Sequence, residues 1–405
     1  MMNTDTSTLL LSRLVTEMQE SATLKMAKMA RELKAQGKDV IDLSLGEPDF
    51  DTPAHIKEAA KKALDEGYTK YTPVNGLLEL REAIVRKFSR DYGLYYTPNQ
   101  IVVSNGAKQS VYNLCMALLD PGDEVILPAP YWVSYYEIIK MAGGIPVVAN
   151  SSIEHDFKCG PDQIEPLITD RTKFILYSSP CNPSGSVFSF SELQSIAEML
   201  RSYEHVLIVS DEIYEHINFI GEHHTIATME GMQDRTVIIN GMSKAYSMTG
   251  WRIGFIAAPL WIADACTKIQ GQVTSGASSF GQKAAAFALD SDHGPTLEMT
   301  NAFHQRRDLF IGLLEQIPLL LVNRPQGAFY IFPDVSAYFG KTAPDGSVVR
   351  DADDLSLYLL AEAGVSTVSG VAFGNDRCIR LSYATSEAKL KEAAVRLEMA
   401  LTNLQ

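Results

Sequence analysis

The sequence is poor in cysteine, and the few cysteines are scattered along the chain. Five occur among 405 residues, an odd number, and no two are spaced as Cys-X-X-Cys. A disulfide framework needs paired cysteines and a structural zinc site needs closely spaced ones, so the sequence predicts neither of them and no metal site. This pattern favours a reducing, cytoplasmic setting. The cysteines are Cys115, Cys159, Cys181, Cys266 and Cys378.

Positive charge and long apolar runs are also scarce. Lys and Arg total 35 against 49 Asp and Glu, which gives a formal net charge of -14. The overall field therefore repels nucleic acid and anionic membranes. Nowhere do about 18 apolar residues follow one another, and residues 1–18 show neither a basic leader nor a small-residue cleavage site. We expect no nucleic-acid partner, no membrane partner and no secretory leader.

What the sequence does contain is a regular alternation of short apolar runs with segments of helical period between residues 100 and 260. Apolar residues make up 46% of the chain, which is enough for a large core and two or three domains. Such alternation is typical of βαβ units, so the sequence predicts an α/β fold with a mostly parallel sheet. The apolar runs are QIVVS, DEVILP, TKFILYS, HVLIVS and RTVIIN.

The pattern changes after about residue 300, where longer helical segments alternate with two apolar runs. We predict helices over HQRRDLFIGLLEQI, DDLSLYLLAEAG and EAKLKEAAVRLEMALTNL, and strands over GAFYIFPDV and CIRLSYA. This is the pattern of a smaller α+β domain, which we expect the N-terminal helix LKMAKMARELKAQG to join. The predicted boundaries are an N-terminal arm with part of the small domain over 1–49, a large domain over 50–290 and the small C-terminal domain over 291–405.

Polar and aromatic residues follow the predicted strands at the points where each strand ends. In a parallel sheet the carboxyl ends of the strands share one edge, and ligands bind there. Five distant segments should therefore meet at one crevice. They carry Gly106, Ala107 and Lys108 after the first run, Trp132 after the second, Asn182 after the third, Asp211 and Tyr214 after the fourth, and Ser243 and Lys244 after the fifth.

Each of these features has an ordinary structural explanation when taken alone. Asp211 can cap a helix, the NPSG that contains Asn182 is common turn chemistry, and an aromatic such as Trp132 or Tyr135 is usually a core or rim residue. The chain also lacks a Walker motif, because GQVTSGAS has no Gly-Lys pair.

Taken together, the same residues meet the chemical demands of pyridoxal 5'-phosphate. A helix N-terminus with a serine and Arg252 can hold a phosphate, and a buried carboxylate can hold a protonated ring nitrogen. An aromatic face can cover the ring. A lysine that is buried beside other cations has a lowered pKa, and can form an imine with an aldehyde.

The sequence resembles the fold type I pyridoxal-phosphate enzymes, and specifically the class I aminotransferases of the bacterial aspartate aminotransferase subgroup. The resemblance covers nearly the whole chain, and its motifs occur in family order. They are SLGEPDFDTP, KYTPVNGLLELREAI, PYWVSYYE, NPSG, SDEIYE, SKAYSMTGWRIG, GAFYIF and RLSYATSE. The resemblance implies a mostly parallel seven-stranded sheet in the large domain, which holds the cofactor, and a smaller α+β domain.

The resemblance also implies a role for each cofactor-binding residue. Lys244 matches the catalytic lysine, which binds the cofactor aldehyde and moves the substrate proton, and Asp211 matches the partner of the pyridinium nitrogen. Tyr214 and Asn182 match the pair that hydrogen-bonds the phenolic oxygen, and Trp132 matches the ring that stacks on the cofactor.

The remaining family positions bind the cofactor phosphate and the substrate. Gly106, Ala107, Lys108, Ser243 and Arg252 match the phosphate site, and Tyr71 of KYTP matches a tyrosine that reaches the phosphate of a neighbouring subunit, which implies a homodimer with shared active sites. Arg380 matches the arginine that binds the substrate α-carboxylate, with help from Gly46, Asn182 and Trp132.

The implied activity is the transfer of an amino group between an L-amino acid and a 2-oxo acid by a ping-pong mechanism. Aspartate with 2-oxoglutarate is the expected pair, and Ser21, Thr23, Lys25 and Lys108 are the nearby groups for a side-chain carboxylate. Aromatic, prephenate-type or broad neutral specificity stays open. A fold type I C–S lyase and a cofactor-binding sensor are the alternatives from other classes.

Overall fold

The computed structural model describes residues 10–405. Residues 1–9, which begin the segment where we expected no leader, lie outside the described residues. Within 10–405, no helix combines the length and the apolar character that crossing a lipid bilayer requires.

The chain contains both helices and strands throughout. The helices are α1 (Arg13–Glu17), α2 (Ala22–Ala35), α3 (Ala54–Asp65), α4 (Leu78–Tyr92), α5 (Ala107–Leu118), α6 (Val133–Met141), α7 (Pro161–Ile164), α8 (Phe190–Leu200), α9 (Leu260–Val273), α10 (Ser279–Asp290), α11 (Gly294–Leu314), α12 (Ala352–Tyr358) and α13 (Glu387–Thr402). The strands are β1 (Ile41–Asp42), β2 (Ile101–Ser104), β3 (Glu124–Pro128), β4 (Ile145–Ala149), β5 (Thr172–Ser178), β6 (Leu207–Asp211), β7 (Thr236–Gly241), β8 (Gly254–Ala257), β9 (Tyr330–Ile331), β10 (Val365–Ser366), β11 (Val368–Ser369) and β12 (Ile379–Ser382).

Seven strands form the main sheet, in the order β2-β8-β7-β6-β5-β3-β4. All neighbouring pairs are parallel except those of β8, which is antiparallel to both β2 and β7. This confirms the predicted α/β fold with a mostly parallel seven-stranded sheet. The five apolar runs of the sequence became β2, β3, β5, β6 and β7, whereas β4 and β8 had not been recognised individually.

The main sheet is buried on both faces because its strands alternate between two helical layers. Val102 packs with α5, α6 and α9, while its neighbours Ile101 and Val103 pack with α3, α4 and α10. The same alternation places Val237 on the first face and Ile238 on the second. A sheet covered on both faces leaves only the strand ends for a ligand.

The two ends of the chain come together in a smaller unit. β1 pairs with β10 in parallel, and β11, β12 and β9 form an antiparallel sheet. α11 and α13 contact each other beside these strands. The predicted helices correspond to α2, α11, α12 and α13, and the domain boundaries at residues 49 and 290 stay a prediction.

The strand predicted over GAFYIFPDV is shorter than expected. Only Tyr330–Ile331 joins the ladder. The backbone N–H of Phe332 donates to the side chain of Asn323 at 2.7 Å, and Pro333 has no N–H to donate. The ladder therefore stops after two residues, although Phe329 and Phe332 stay buried on either side of it.

The topology places the predicted site residues at one edge of the main sheet. β5 and β6 end together, since Ser178 pairs with Asp211, and β7 ends two residues before Ser243. The helix α5 begins just after β2, with Gly106 as its N-cap residue at a φ of 82°. A positive φ is accessible to glycine without steric cost, which allows the sharp turn from the strand into the helix.

Candidate active site

A cavity of about 380 Å³ lies at this edge of the sheet. Most of the residues singled out from the sequence line it, so the convergence of distant segments is observed. The predicted residues in its lining are Gly46, Ala107, Lys108, Trp132, Asn182, Asp211, Tyr214, Ser243, Lys244, Arg252 and Arg380. Gly106 lies directly behind it, and Tyr71 lies elsewhere.

Lys244 projects into the cavity from the turn after β7. Its ammonium donates a hydrogen bond to the backbone oxygen of Gly46. The pKa of Lys244 is lowered to about 8, mainly by burial and with a contribution from the positive charges of Arg380 and Arg252, while Glu47 and Asp211 oppose the shift. A lysine with this pKa is partly neutral at mildly alkaline pH, which is the form that attacks an aldehyde.

Asp211 is buried at the end of β6, with 4% of its surface exposed. Burial raises its pKa to about 6, although two hydrogen bonds favour the charged form. The hydroxyl of Tyr135 donates to Asp211 at 2.6 Å, and the N–H of Ile213 donates at 3.2 Å. A buried carboxylate held in this way is suited to a cationic partner inside the cavity.

The N-terminus of α5 forms one wall of the cavity. The first N–H groups of a helix have no partner within the helix, and they attract anions. Arg252 has a left-handed backbone with a φ of 58°, and its guanidinium donates to the backbone oxygen of Thr249 at 2.8 Å. A Cβ added to Gly106 would collide with that guanidinium. Together with the hydroxyl of Ser243, these groups form a cradle of hydrogen-bond donors suited to an anion such as a phosphate.

Arg380 is the most deeply buried cation of the cavity, with 1% of its surface exposed. Its guanidinium donates to the Asn182 side-chain oxygen at 2.8 Å and to the backbone oxygen of Ser44 at 2.5 Å. Its Cζ lies 4.5 Å from the ring centroid of Tyr330 and 5.0 Å from that of Phe373. Both hydrogen bonds go to neutral oxygens, so the positive charge is available to a ligand carboxylate.

A second cation, Lys108, also lines the cavity. The ammonium of Lys108 is 4.9 Å from the ring centroid of Trp132. Its local desolvation and the positive charge of Arg252 lower its pKa, although the residue as a whole stays exposed to solvent. Ser21 and Thr23 line the cavity as well, whereas Lys25 is exposed and is not part of the lining. The structure therefore places Lys108, and not Lys25, in the lining of the cavity.

Tyr71 is the predicted residue that this chain does not bring to the cavity. Its side chain is 97% exposed. The contact of Tyr71 with a neighbouring subunit's phosphate stays a prediction.

Three contacts of the cavity were missed from the sequence. Tyr135 had been read as a core or rim aromatic, and it holds Asp211. The hydroxyl of Tyr330 lies 2.7 Å from that of Tyr214. Glu47 accepts a hydrogen bond from the hydroxyl of Thr249. Tyr135 lies in the motif PYWVSYYE and Tyr330 in the motif GAFYIF. Nothing in the local sequence distinguishes their hydroxyls from those of tyrosines that only pack.

The donor set fits pyridoxal 5'-phosphate. The α5 N-terminus and Arg252 could hold the phosphate, Asp211 the ring nitrogen and Lys244 the aldehyde, while Trp132 could supply an aromatic face. The cradle at Gly106, which a Cβ would fill, and the buried carboxylate of Asp211 are the two features that ordinary packing does not require.

Comparisons with known proteins identify the family. Residues 38–397 match the model of the aminotransferase class I and II family. An aspartate/prephenate aminotransferase of Cereibacter sphaeroides is 45% identical over 390 residues, which are 96% of this chain and 98% of the relative. A bifunctional aspartate aminotransferase and glutamate/aspartate-prephenate aminotransferase of Petunia hybrida is 44% identical over 98% of this chain and 83% of the relative.

Solved structures agree with these relatives. The aspartate aminotransferase of Rhizobium meliloti superimposes with a TM-score of 0.94 at 42% identity, covering 98% of this chain and 99% of that one. The aspartate aminotransferase of Thermus thermophilus with maleate has a TM-score of 0.90 at 41% identity, covering 96% and 99%. The chain belongs to the class I and II aminotransferases and is a pyridoxal-phosphate-dependent transaminase.

Proposed function

We propose that this enzyme moves the amino group of L-aspartate to a 2-oxo acid, with 2-oxoglutarate as the usual acceptor, in two half-reactions. The observation that carries the proposal is the presence of two separate cations, Arg380 and Lys108, in the lining of one cavity. A dicarboxylic amino acid has two carboxylates, and each one meets a cation in this arrangement.

Arg380 binds the α-carboxylate in this proposal. Its guanidinium is fixed by Asn182 and by the backbone oxygen of Ser44, so it is oriented before substrate enters. A planar guanidinium presents two parallel N–H groups to a carboxylate, and binding costs little reorganisation because the side chain is already held. Gly46 lines the same cavity, and in this proposal its N–H donates to the same carboxylate.

Lys108 binds the side-chain carboxylate. Its backbone N–H lies in the first turn of α5, at the phosphate cradle, while its ammonium lies over the ring of Trp132. The hydroxyls of Ser21 and Thr23 line the same cavity and complete a polar set for the distal carboxylate. One residue thus contributes its backbone to the cofactor site and its side chain to substrate selection.

Lys244 moves the proton. When bound, pyridoxal phosphate supplies the aldehyde that takes up the amino group and the ring that withdraws electrons from Cα. The Nζ of Lys244 then accepts the Cα proton, a role that its pKa of about 8 suits because a base works best when its pKa is near the working pH. Asp211, held by Tyr135, accepts a hydrogen bond from the ring nitrogen and keeps that nitrogen protonated.

Prephenate is a second candidate acceptor. Relatives such as the Cereibacter sphaeroides protein are named aspartate/prephenate aminotransferases. Prephenate is a 2-oxo acid that carries a second carboxylate on a ring, so Lys108 serves it as well. Leu24 and Leu45 line the cavity and are more than a third exposed, which offers apolar surface to that ring.

The assembly and the location belong to the same proposal. A homodimer places Tyr71 of each chain at the phosphate of the other, which gives a function to a tyrosine that is 97% exposed on its own chain. Five buried cysteines without disulfides suit a reducing, cytoplasmic setting. Light scattering at low protein concentration should give the mass of a dimer. A Tyr71→Ala variant should bind the cofactor more weakly than the wild type.

Substituting Lys108 tests the substrate assignment. We expect Lys108→Met to lower kcat/KM for L-aspartate by about ten- to a hundredfold, since a hydrogen bond between charged groups contributes about 1.5–3 kcal/mol. The kcat/KM for L-phenylalanine should change little, because that donor has no second carboxylate. Lys25→Met is the matched control, since Lys25 is exposed outside the cavity. An equal loss for both donors would contradict the assignment.

A further inference from the structure

Tyr330 is a buried tyrosine that contacts both halves of the proposed site. No part of its side chain is exposed. Its ring centroid lies 4.5 Å from the Cζ of Arg380, and its hydroxyl lies 2.7 Å from that of Tyr214. Arg380 belongs to the substrate side of the cavity and Tyr214 to the cofactor side, so one residue links the two.

The small antiparallel sheet fixes the position of Tyr330. Tyr330 is paired with Ser382 across β9 and β12, and Arg380 lies two residues away on the same face. Side chains at such diagonal positions are within reach of one another when one of them is aromatic. The ring thus covers the guanidinium as a consequence of strand register.

The hydroxyl of Tyr330 also lies against the loop that carries Gly46. A Cβ added to Gly46 would collide with that hydroxyl before any other atom. Its position is therefore limited on one side by backbone and on the other by Tyr214. A phenol confined in this way has few alternative hydrogen-bond partners.

A packing role alone does not account for the hydroxyl. Phe329 and Phe332 flank Tyr330 in the sequence and are equally buried, so phenylalanine fills this region without a polar atom. A buried tyrosine hydroxyl needs a hydrogen-bond partner to offset its lost hydration. Here the partner is the hydroxyl that we assign to the phenolic oxygen of the cofactor.

We propose that Tyr330 is a positioning residue that keeps the proton of the Tyr214 hydroxyl directed at the cofactor. Either hydroxyl of the pair can donate to the other. The ionised phenolic oxygen of pyridoxal phosphate only accepts, so Tyr214 donates to it and must accept from Tyr330. A phenol that accepts one hydrogen bond becomes a stronger donor in the next. This inference rests on the proposed role of Tyr214.

The test uses the visible absorbance of the holoenzyme as a function of pH, which follows the protonation of the bound cofactor. Hydrogen-bond donors to the phenolic oxygen stabilise its anionic form. A weakened donor therefore moves the midpoint of the spectral pH titration to higher pH. We expect Tyr330→Phe to raise the midpoint by about half a pH unit, and Tyr214→Phe to raise it by about one unit or more.

The double variant shows whether Tyr330 acts through Tyr214. If it does, Tyr214→Phe with Tyr330→Phe has the same midpoint as Tyr214→Phe alone, because the hydroxyl that Tyr330 orients is gone. If the two shifts add, Tyr330 acts by another route and the proposal fails. Tyr383→Phe is the matched control. Tyr383 is buried in the same core, and its hydroxyl donates to the backbone oxygen of Ala328 at 3.1 Å.

Maleate, a dicarboxylate without an amino group, separates a specific effect from general damage. Tyr330→Phe keeps the ring over Arg380, so the Kd for maleate should stay at the wild-type value while the midpoint moves. A midpoint that does not move overturns the proposal, and so does a midpoint shift accompanied by an equal loss of maleate affinity. A midpoint unchanged in Tyr214→Phe would instead refute the assignment of Tyr214 itself.

Discussion

Lys244 should destabilise the cofactor-free fold at neutral pH, so replacing it should make that form more stable. Burial lowers its pKa from 10.5 to about 8. Each pKa unit corresponds to about 1.4 kcal/mol, so the penalty for keeping this lysine charged in the folded protein is at most about 3.5 kcal/mol. Lys244 is only half-buried, so solvent screening offsets part of this penalty and leaves about 2 kcal/mol.

The sign of the effect follows from proton binding. Because the pKa in the folded state is lower than in the unfolded chain, the folded state binds this proton less tightly. The destabilisation by Lys244 is therefore absent above pH 10.5, grows as the pH falls from 10.5 towards 8, and is complete below about 8. The gain from Lys244→Met should therefore be largest near pH 7 and should disappear towards pH 10.

Thermal unfolding of the cofactor-free proteins across this pH range measures the effect. We expect the Tm of Lys244→Met to exceed that of the wild type by roughly 2 °C near pH 7, with the difference shrinking as the pH rises. Lys268→Met, a change at an exposed lysine of α9, should show no such trend. A Tm difference that is negative at pH 7, or independent of pH, would refute the reasoning.

Two further substitutions test the cofactor site. Tyr135→Phe removes the 2.6 Å hydrogen bond to Asp211 and so raises the pKa of that carboxyl further. We expect the Kd for pyridoxal phosphate, measured by equilibrium dialysis, to rise about tenfold. An unchanged Kd would argue against a role for Tyr135. Gly106→Ala should weaken the binding of pyridoxal phosphate much more than the binding of pyridoxal, because the new Cβ displaces Arg252 from the phosphate cradle and strains a backbone with a φ of 82°. Equal losses of affinity for both ligands would contradict a phosphate site there.

The sequence predicted the central part of the fold because its signals there are local. Five apolar runs and the polar residues behind them located the strand ends, and hence the edge where ligands bind. The strands β4 and β8 were not recognised. β4 contains Pro146 and lies at the sheet edge, and β8 has only four residues between a functional loop and the next helix.

The parts of the site that were missed depend on contacts between residues far apart in the chain. Tyr135 and Asp211 are 76 residues apart, and Tyr214 and Tyr330 are 116 apart. An aromatic residue in an apolar segment has the same pattern whether it packs or donates a hydrogen bond, so no local signal separates the two. Lys108 is a similar case, since only the folded chain shows that its ammonium lies over Trp132.

The most direct test of the proposed transamination is the absorbance of the purified holoenzyme while single amino acids are added without an acceptor. L-Aspartate should convert the absorbance band of the bound cofactor to that of its aminated form, and 2-oxoglutarate should restore the original band. L-Phenylalanine should do so only at higher concentration. A spectrum that no amino acid changes, or release of pyruvate and ammonia without any 2-oxo acid, would contradict the proposal.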